Sequence, residues 1–135
     1  MTQQEKETFL ADLHVGVMGF NDPGAGPLTV PIWYDYSPGG QLWVITGKQS
    51  RKSKLLEVGT RLSLAAQAES FPYKYVSVEG AVSSIRSVTM QELSAMAIRY
   101  LGDVQGKAYA DDAGIEGQII VHVDIDRWLA VDYGK

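Results

Sequence analysis

Apolar and polar residues alternate along most of this chain, which is the pattern of β-strands with one buried face. The segments with this alternation are 14–20, 28–36, 41–46, 61–68 and 73–86, followed by "QIIVHVDI" and "RWLAVDYG" near the end of the chain. Short turns rich in Gly and Pro, such as "NDPGAGP" and "SPGG", separate several of them and require antiparallel pairing. The pattern therefore predicts six or seven antiparallel strands.

A first short helix is predicted before the strands. Thr2 and Glu5 have the spacing of a capping box, in which each residue bonds the backbone of the other. Phe9, Leu10 and Leu13 follow at helical spacing, so we expect them to form its buried face.

Two further helices are predicted over about 51–58 and about 90–102. Ser50 caps the first, and a second capping box beginning at Thr89 opens the other. The stretch 108–117 is predicted to be a loop. The residues expected to turn inward from the first of these helices are Leu55, Leu56 and Val58.

A mainly β (α+β) fold of one domain, residues 1–135, is the architecture that these elements favour. Closing six or seven strands into a closed or split barrel removes exposed sheet edges. Pro31 predicts an edge strand or a bulge, because proline cannot donate to a strand ladder. Gly80 predicts a bulge in the longest alternating segment.

Composition excludes several classes of function. The chain has no cysteine, so it has no disulfide or thiol nucleophile. A net charge of −4 disfavours nucleic acid as a partner. No apolar run reaches the ~20 residues that span a bilayer, so we expect no membrane partner and a cytoplasmic location.

Against this acidic background, five cations fall within fourteen positions. They are Lys48, Arg51, Lys52, Lys54 and Arg61. A solvated helix face is one explanation. The other is an anion site, because a helix start beside Arg and Lys side chains attracts phosphate.

The segments "TVPIWYDY", "LWVITGKQSRKSKLLE", "RLSL" and "YKYVSVEGAV", in this order, resemble the pyridoxamine 5'-phosphate oxidase-like split-barrel flavoproteins. The resemblance covers roughly residues 5–132 and is strongest at Thr46–Lys52 and Val76–Gly80. It implies a homodimer with sites at the subunit interface, binding FMN or the deazaflavin F420, or haem in some members. The segment that completes the substrate site of true pyridoxamine-phosphate oxidases is missing, so that activity is not expected.

The resemblance also implies a set of cofactor-binding residues. Arg51 and Lys52 hold the cofactor phosphate, with Thr46 and Ser50 beside them. The residues implied along the ring and the ribityl chain are Val30, Pro31, Ile32, Trp33, Ile45, Tyr75 and Ser77. Lys48, Lys54 and Lys74 are candidates for holding the acidic tail of F420.

Other candidate chemistry is weaker. His14 and His122 have no ligand-spaced neighbours, so we expect structural histidines and no metal site. Asp124 and Asp126 are expected to form a structural pair with Arg127. No residue is assigned as a catalytic acid or base.

The sequence thus favours a flavin- or deazaflavin-dependent oxidoreductase that transfers hydride to a small organic acceptor. Two alternatives remain open. One is a non-catalytic protein that binds or carries flavin, F420 or haem. The other is a barrel that binds no cofactor.

Overall fold

The computed structural model describes residues 1–135 as four helices and seven strands. In chain order the elements are α1 (Gln3–Ala11), β1 (Gly16–Phe20), β2 (Leu28–Ile32), β3 (Tyr34–Tyr36), β4 (Leu42–Gly47), α2 (Arg51–Lys54), β5 (Arg61–Ala68), β6 (Lys74–Ser87), α3 (Met90–Leu101), α4 (Asp103–Ala113) and β7 (Gln118–Asp132). None of the helices has both the length and the apolar character needed to cross a bilayer.

The strands form one antiparallel sheet in the order β2-β1-β5-β6-β7-β4-β3. Although β2 and β3 lie at opposite edges of this sheet, only Trp33 separates them along the chain. Consecutive Cα atoms are about 3.8 Å apart, so the two edges meet within about 8 Å at this point. The sheet therefore curls into a barrel, and the predicted fold class is confirmed.

The barrel is split beside β2. β3 pairs with β4 only from Leu42 to Val44, so Ile45–Gly47 pair with β7 on one side and with no strand on the other. β2 likewise pairs with β1 on one side only. Because β2 continues the path of β3, its free edge and that of Ile45–Gly47 face the same opening, which we call the split.

The first helix, α1, closes one end of the barrel. Leu10 is fully buried there and its carbonyl accepts a hydrogen bond of 2.7 Å from the hydroxyl of Tyr34. The predicted capping box of Thr2 and Glu5 is confirmed. Leu13 is 55% exposed, so its predicted place on the buried face is wrong, because α1 ends before it.

The second helix, α2, is a single turn and is shorter than the predicted helix over 51–58. Ser50 caps it as predicted, and Leu56 is buried as predicted. Val58 is 65% exposed, so its predicted inward position is wrong. The chain has already left the helix there, and Gly59, with φ of +94°, turns it toward β5.

The helices α3 and α4 form an antiparallel pair. α3 agrees with the predicted helix over 90–102, whereas most of 108–117, predicted as a loop, belongs to α4. That prediction is wrong because α4 has no apolar stripe: its buried residues are Gly106 and Ala110. Gly106 lets the two helices approach closely, since an added Cβ would lie 2.6 Å from the Cα of Ile98.

Two predicted strand boundaries also differ. The segment 28–36 is interrupted at Trp33, where the chain passes from one sheet edge to the other, and the last two predicted strands are one continuous β7. The predicted bulge at Gly80 is confirmed by a register shift against β7. A Cβ at Gly80 would lie 2.0 Å from the carbonyl oxygen of Asp124, so this crossing requires glycine.

Candidate functional site

Hydroxyl groups shape the turn that follows β4. Thr46 is only 4% exposed, and its Oγ1 lies 3.2 Å from Oγ of Ser50. Ser50 Oγ also accepts the backbone N–H of Ser53 at 3.2 Å, and the Ser53 hydroxyl donates to the Gly47 carbonyl at 2.6 Å. Since α2 is a single turn, its dipole contributes little, and any attraction for an anion comes mainly from side chains.

Four cationic side chains surround this turn: Lys48, Arg51, Lys52 and Lys54. Arg51 forms an ion pair with Asp22, which lies in the turn after β1; their side chains are 68% and 12% exposed. The three lysines form no ion pair. The Arg51–Asp22 contact connects α2 to the end of β1.

A shallow cavity of about 450 Å³ lies at this end of the barrel. Its lining residues are Asn21, Pro23, Lys54, Leu55, Leu56, Glu57 and Thr60. Lys54 is the lining residue that carries positive charge, and the predicted phosphate-binding pair, Arg51 and Lys52, lies outside the lining.

The predicted cofactor residues on β2 point in alternating directions. Ile32 belongs to the core and Val30 packs against it, whereas Pro31 between them is exposed on the outer face. The free edge of this strand borders the split with its backbone. These residues can therefore meet a ligand in the split through main-chain groups more than through side chains.

Trp33 packs against the α3–α4 pair. Its ring is parallel to that of Tyr100, within 5° and at 4.8 Å between centroids, and 5.7 Å from that of Tyr109. The hydroxyl of Tyr100 donates to the carbonyl of His14 at 2.5 Å and accepts the backbone N–H of Tyr34 at 3.1 Å. The contact of Tyr109 with Trp33 could not be predicted from the sequence, because α4 lacks apolar periodicity.

Arg99 holds the neighbouring backbone together. Its Nε donates to the carbonyl of Tyr34 at 3.0 Å, and its Nη2 donates to those of Ala11 and Asp12 at 3.1 and 2.9 Å. Burial and the nearby Tyr100 raise the pKa of Tyr34, so that phenol stays protonated and acts as a donor. The role of Arg99 could not be predicted from the sequence, because its hydrogen-bond partners lie far away in the chain, at the end of α1 and on β3.

The remaining predicted cofactor residues lie apart from one another. Ile45 packs on the small second core formed by α3 and α4, whose members are Leu93, Ala97 and Ala110. Ser77 is half-buried on the outer face of β6. Tyr75 lines a groove that also includes Pro31.

This groove has a volume of about 590 Å³ and joins the start of β1 to the β5–β6 end of the sheet. It is lined by Leu13, His14, Val15, Val17, Pro31, Ala65, Gln67, Glu69 and Tyr75. The pKa of His14 is lowered because burial disfavours the imidazolium, so the ring is neutral at pH 7. Its Nε2 lies 3.1 Å from the Phe9 carbonyl, which makes it a structural part of the groove wall.

An exposed apolar row crosses the outer face of five strands next to this groove. In register, Pro31 lies opposite Val17, Val17 opposite Ala65, Ala65 opposite Ser77, and Ser77 opposite Leu129. Val17 is 44% exposed and Leu129 is 60% exposed. Contiguous exposed apolar surface of this kind is typical of interaction faces.

The other predicted polar residues are engaged in local contacts. His122 Nδ1 lies 3.2 Å from the hydroxyl of Ser84, and burial lowers its pKa. The predicted pairing of Arg127 with an aspartate is wrong: Asp126 instead pairs with Arg61, at 2.8 and 2.9 Å. This partner comes from β5, so only the folded sheet reveals it. No three acidic, His or Cys side chains come together in a way that could hold a metal ion.

The known proteins that are similar to this chain are solved structures that share its fold. No protein-family model matches the chain, and no curated protein matches it. Among solved structures, the conserved hypothetical protein Rv2991 from Mycobacterium tuberculosis is 20% identical, with a TM-score of 0.78 over 98% of this chain and 86% of that one. A chain described as an F420 reductase is 16% identical, with a TM-score of 0.73 over 91% of this chain and 94% of that one.

A third similar structure is the FAD and haem binding protein from Mycobacterium smegmatis. It is 14% identical, with a TM-score of 0.64 over 98% of this chain and 71% of that one. These likenesses show that the antiparallel split-barrel fold is shared over nearly the whole chain. At such identities they show the fold alone.

Proposed function

We propose that this protein binds a flavin or deazaflavin, FMN or alternatively F420, along the split and transfers hydride to a small organic acceptor. The observation that carries the proposal is the layout of the split. One end of its β2 edge lies near the cationic turn after β4, and the other end lies at the apolar groove. A cofactor with an anionic end and a flat ring requires these two environments.

The distance between the two ends suits such a cofactor. β2 runs from Leu28, beside the turn that carries Asp22, to Ile32, beside the groove. Five strand residues at about 3.4 Å per residue span roughly 14 Å. An extended FMN, or the corresponding part of F420, has a length of this order from its ring through the ribityl chain to the phosphate.

The residues at the anionic end fit a phosphate group by their donor chemistry. Arg51 has five N–H groups and uses one of them on Asp22, and Lys52 has no anionic partner. Thr46 and Ser50 supply hydroxyl groups beside them. In this proposal Arg51 and Lys52 bind the phosphate, and Lys48 and Lys54 are candidates for the acidic tail of F420. Lys74, the third candidate in the sequence, lies at the opposite end of β5 and β6 with its Nζ over the Phe9 ring, so it is too distant to join them.

At the ring end, the free main-chain edge from Val30 to Trp33 offers hydrogen bonds to the polar edge of the ring. Pro31 and Tyr75 offer apolar contact in the groove, and Ile45 and Ser77 complete the proposed set. FMN or F420, when bound, supplies the two-electron redox chemistry. The chain's part is to hold the ring flat and to exclude water.

We further propose that the apolar row on the outer face packs against a second copy of the chain, giving a homodimer. Its exposed members, Val17 and Leu129, then become buried beside the ring end of the split. Sedimentation equilibrium of wild type and Val17→Glu tests this: a dimer that the variant converts to monomer supports it, and a wild-type monomer at micromolar concentration contradicts it.

A second candidate, a non-catalytic carrier of flavin, F420 or haem, is favoured by one observation. The side chains with proton-transfer chemistry near the split are already engaged, since Tyr34 donates to Leu10 and His14 contacts the Phe9 carbonyl. As a haem ligand, His14 would also have to leave its stacking contact with Phe9, at 4.4 Å between centroids.

Titration of the apo-protein with FMN and with F420 tests cofactor binding. We expect Arg51→Ala and Lys52→Ala each to weaken binding by about 1.5–3 kcal/mol, the range for hydrogen bonds to charged groups. Lys107→Ala, which removes an exposed cation from α4, is the matched control and should bind as wild type does. Absence of binding in the wild type, or equal losses in all three variants, would refute the proposed site.

Turnover separates the two candidates. The holoprotein is reduced and then mixed with a panel of small organic acceptors, and reoxidation is followed by absorbance. Reoxidation faster than that of the free cofactor, and saturable in the acceptor, supports the oxidoreductase. Reoxidation no faster than free cofactor across the panel supports the carrier.

A further inference from the structure

Asp22 is an unusual feature of the cationic end of the split. It lies in the turn after β1, is only 9% exposed, and directs its carboxylate at the guanidinium of Arg51. The turn is closed by a 3.0 Å hydrogen bond from the Ala25 N–H to the Asp22 carbonyl. A nearly buried carboxylate of this kind keeps its cationic partner, because leaving it buried and unpaired is costly.

This carboxylate changes the charge that the site presents. Of the two cations proposed to meet the phosphate, Arg51 is already paired, whereas Lys52 is unpaired. Counting Asp22, these three groups carry a net charge of +1 (two cations less one carboxylate). Arg51 keeps most of its N–H donors for a ligand, but the ligand's negative charge is then placed close to a carboxylate.

We propose that Asp22 is a specificity residue that lowers the affinity of the site for a doubly charged phosphomonoester more than its affinity for a singly charged phosphodiester. This inference rests on the proposed function, and it narrows the cofactor class. FMN ends in a phosphomonoester, whereas the phosphate of F420 is a diester. The unpaired Lys48 and Lys54 beside the site are then available to the carboxylates of an acidic substituent on that diester.

The expected size of the effect follows from Coulomb's law. A phosphate and a carboxylate on opposite sides of one guanidinium lie about 7 Å apart, and an effective dielectric constant between about 40 and 80 gives a three- to sevenfold change in affinity per unit of ligand charge. The dianion therefore loses this factor twice and the monoanion once. Asp22 therefore shifts the ratio of the two affinities toward the diester by the remaining factor of about three to seven.

The direct test uses three ligands that share one ring: riboflavin, FMN and the methyl ester of FMN. Dissociation constants are measured at pH 8 for wild type, Asp22→Asn and the matched control Glu57→Gln. Glu57 is an exposed carboxylate in the segment between α2 and β5, and its replacement changes the net charge equally. Far-UV circular dichroism and thermal midpoints check that each variant folds.

We expect Asp22→Asn to shift the ratio of FMN to methyl-ester affinity toward FMN by about three- to sevenfold, with riboflavin unchanged. Glu57→Gln should leave the ratio at its wild-type value. An unchanged ratio in Asp22→Asn, or an equal loss for both phosphate ligands, overturns the inference while leaving cofactor binding intact. Failure of all three proteins to bind any of these ligands, and F420 as well, overturns the proposed function itself.

Lowering the pH supplies a second test with the same proteins and ligands. The second phosphate proton of FMN binds with a pKa of about 6, so FMN is mainly a monoanion at pH 5. The methyl ester keeps its single charge at both pH values. We expect the difference between wild type and Asp22→Asn in the ratio of FMN to methyl-ester affinity to disappear at pH 5, and a difference that persists at pH 5 contradicts the charge argument.

Discussion

Replacing Arg99 with Met tests whether one side chain of α3 holds the backbone beside the split. Arg99 is largely buried, with 18% of its side chain exposed, and it donates to three main-chain carbonyls on two other elements. Its guanidinium also lies over the rings of Tyr34 and Tyr100, at 5.6 and 5.7 Å. Met keeps most of the aliphatic volume but removes every donor, so the variant isolates the hydrogen bonds and the charge.

The magnitude follows from what each carbonyl loses. The Tyr34 carbonyl lies 3.1 Å from the Tyr100 hydroxyl, whose single proton is directed at the His14 carbonyl, so it has no full replacement donor there. The carbonyl of Asp12 is exposed enough to recover water. The net value of one hydrogen bond is about 0.5–1.5 kcal/mol, or about 1.5–3 kcal/mol when one partner is charged. With partial recovery by water, we expect Arg99→Met to lower the free energy of unfolding by about 2–3 kcal/mol, a large share of the usual 5–15 kcal/mol.

Urea unfolding followed by far-UV circular dichroism measures this loss. Arg61→Met is the matched control, because Arg61 pairs with Asp126 at the surface, with side chains 51% and 53% exposed. Exposed pairs contribute little, so the control should unfold as wild type does. Equal midpoints for Arg99→Met and Arg61→Met would refute the assigned role of Arg99.

Three further predictions concern stability. The pKa of Glu92 is lowered to about 2, first by its hydrogen bond to Arg86, so its stabilising contribution is complete above its ordinary pKa of 4.5 and is lost as pH falls from there toward 2. The unfolding free energies of wild type and Glu92→Gln should therefore differ most at pH 7 and converge near pH 2, and a constant difference would contradict the linkage. Gly80→Ala should lower the free energy of unfolding in urea by about 2–3 kcal/mol, because the new Cβ would meet the Asp124 carbonyl. An unchanged free energy of unfolding would mean that the bulge relaxes freely. Gly106→Ala should lower the thermal midpoint despite the roughly 1 kcal/mol better helix propensity of Ala, and a raised midpoint would show that α3 and α4 do not pack as described.

Features decided by neighbouring residues were predicted correctly. The capping boxes that begin at Thr2 and Thr89 depend on residues three positions apart, and both form. The bulge at Gly80 was predicted from one glycine in a long alternating segment, and it is confirmed. The barrel class followed from strand count and turn length, which are also local properties.

Features decided by packing were missed. α4 buries glycine and alanine against α3, so its sequence shows no apolar stripe and was predicted as a loop. Val58 has an apolar side chain at helical spacing, but the helix ends before it and leaves it exposed. In both cases the partner surface, rather than the segment itself, set the outcome.

The candidate site also has features that the sequence predicts and features that only packing decides. The cationic run after β4 was visible in the sequence because its members are adjacent. The pairing of Arg51 with Asp22 was not visible, because 29 positions separate the two residues and β1 and α2 meet only in the closed barrel. The stacking of Trp33 on Tyr100 likewise depends on where α3 docks.

The sequence by itself determined the strands, the caps and the placement of positive charge, because alternation, capping and clustering act within a few residues. The tertiary structure alone decided that the two sheet edges meet at Trp33 and leave a split. It also decided that a carboxylate from the far side of that split neutralises one of the clustered cations. Contacts of this kind join residues that are distant in the chain, so no local pattern can encode them.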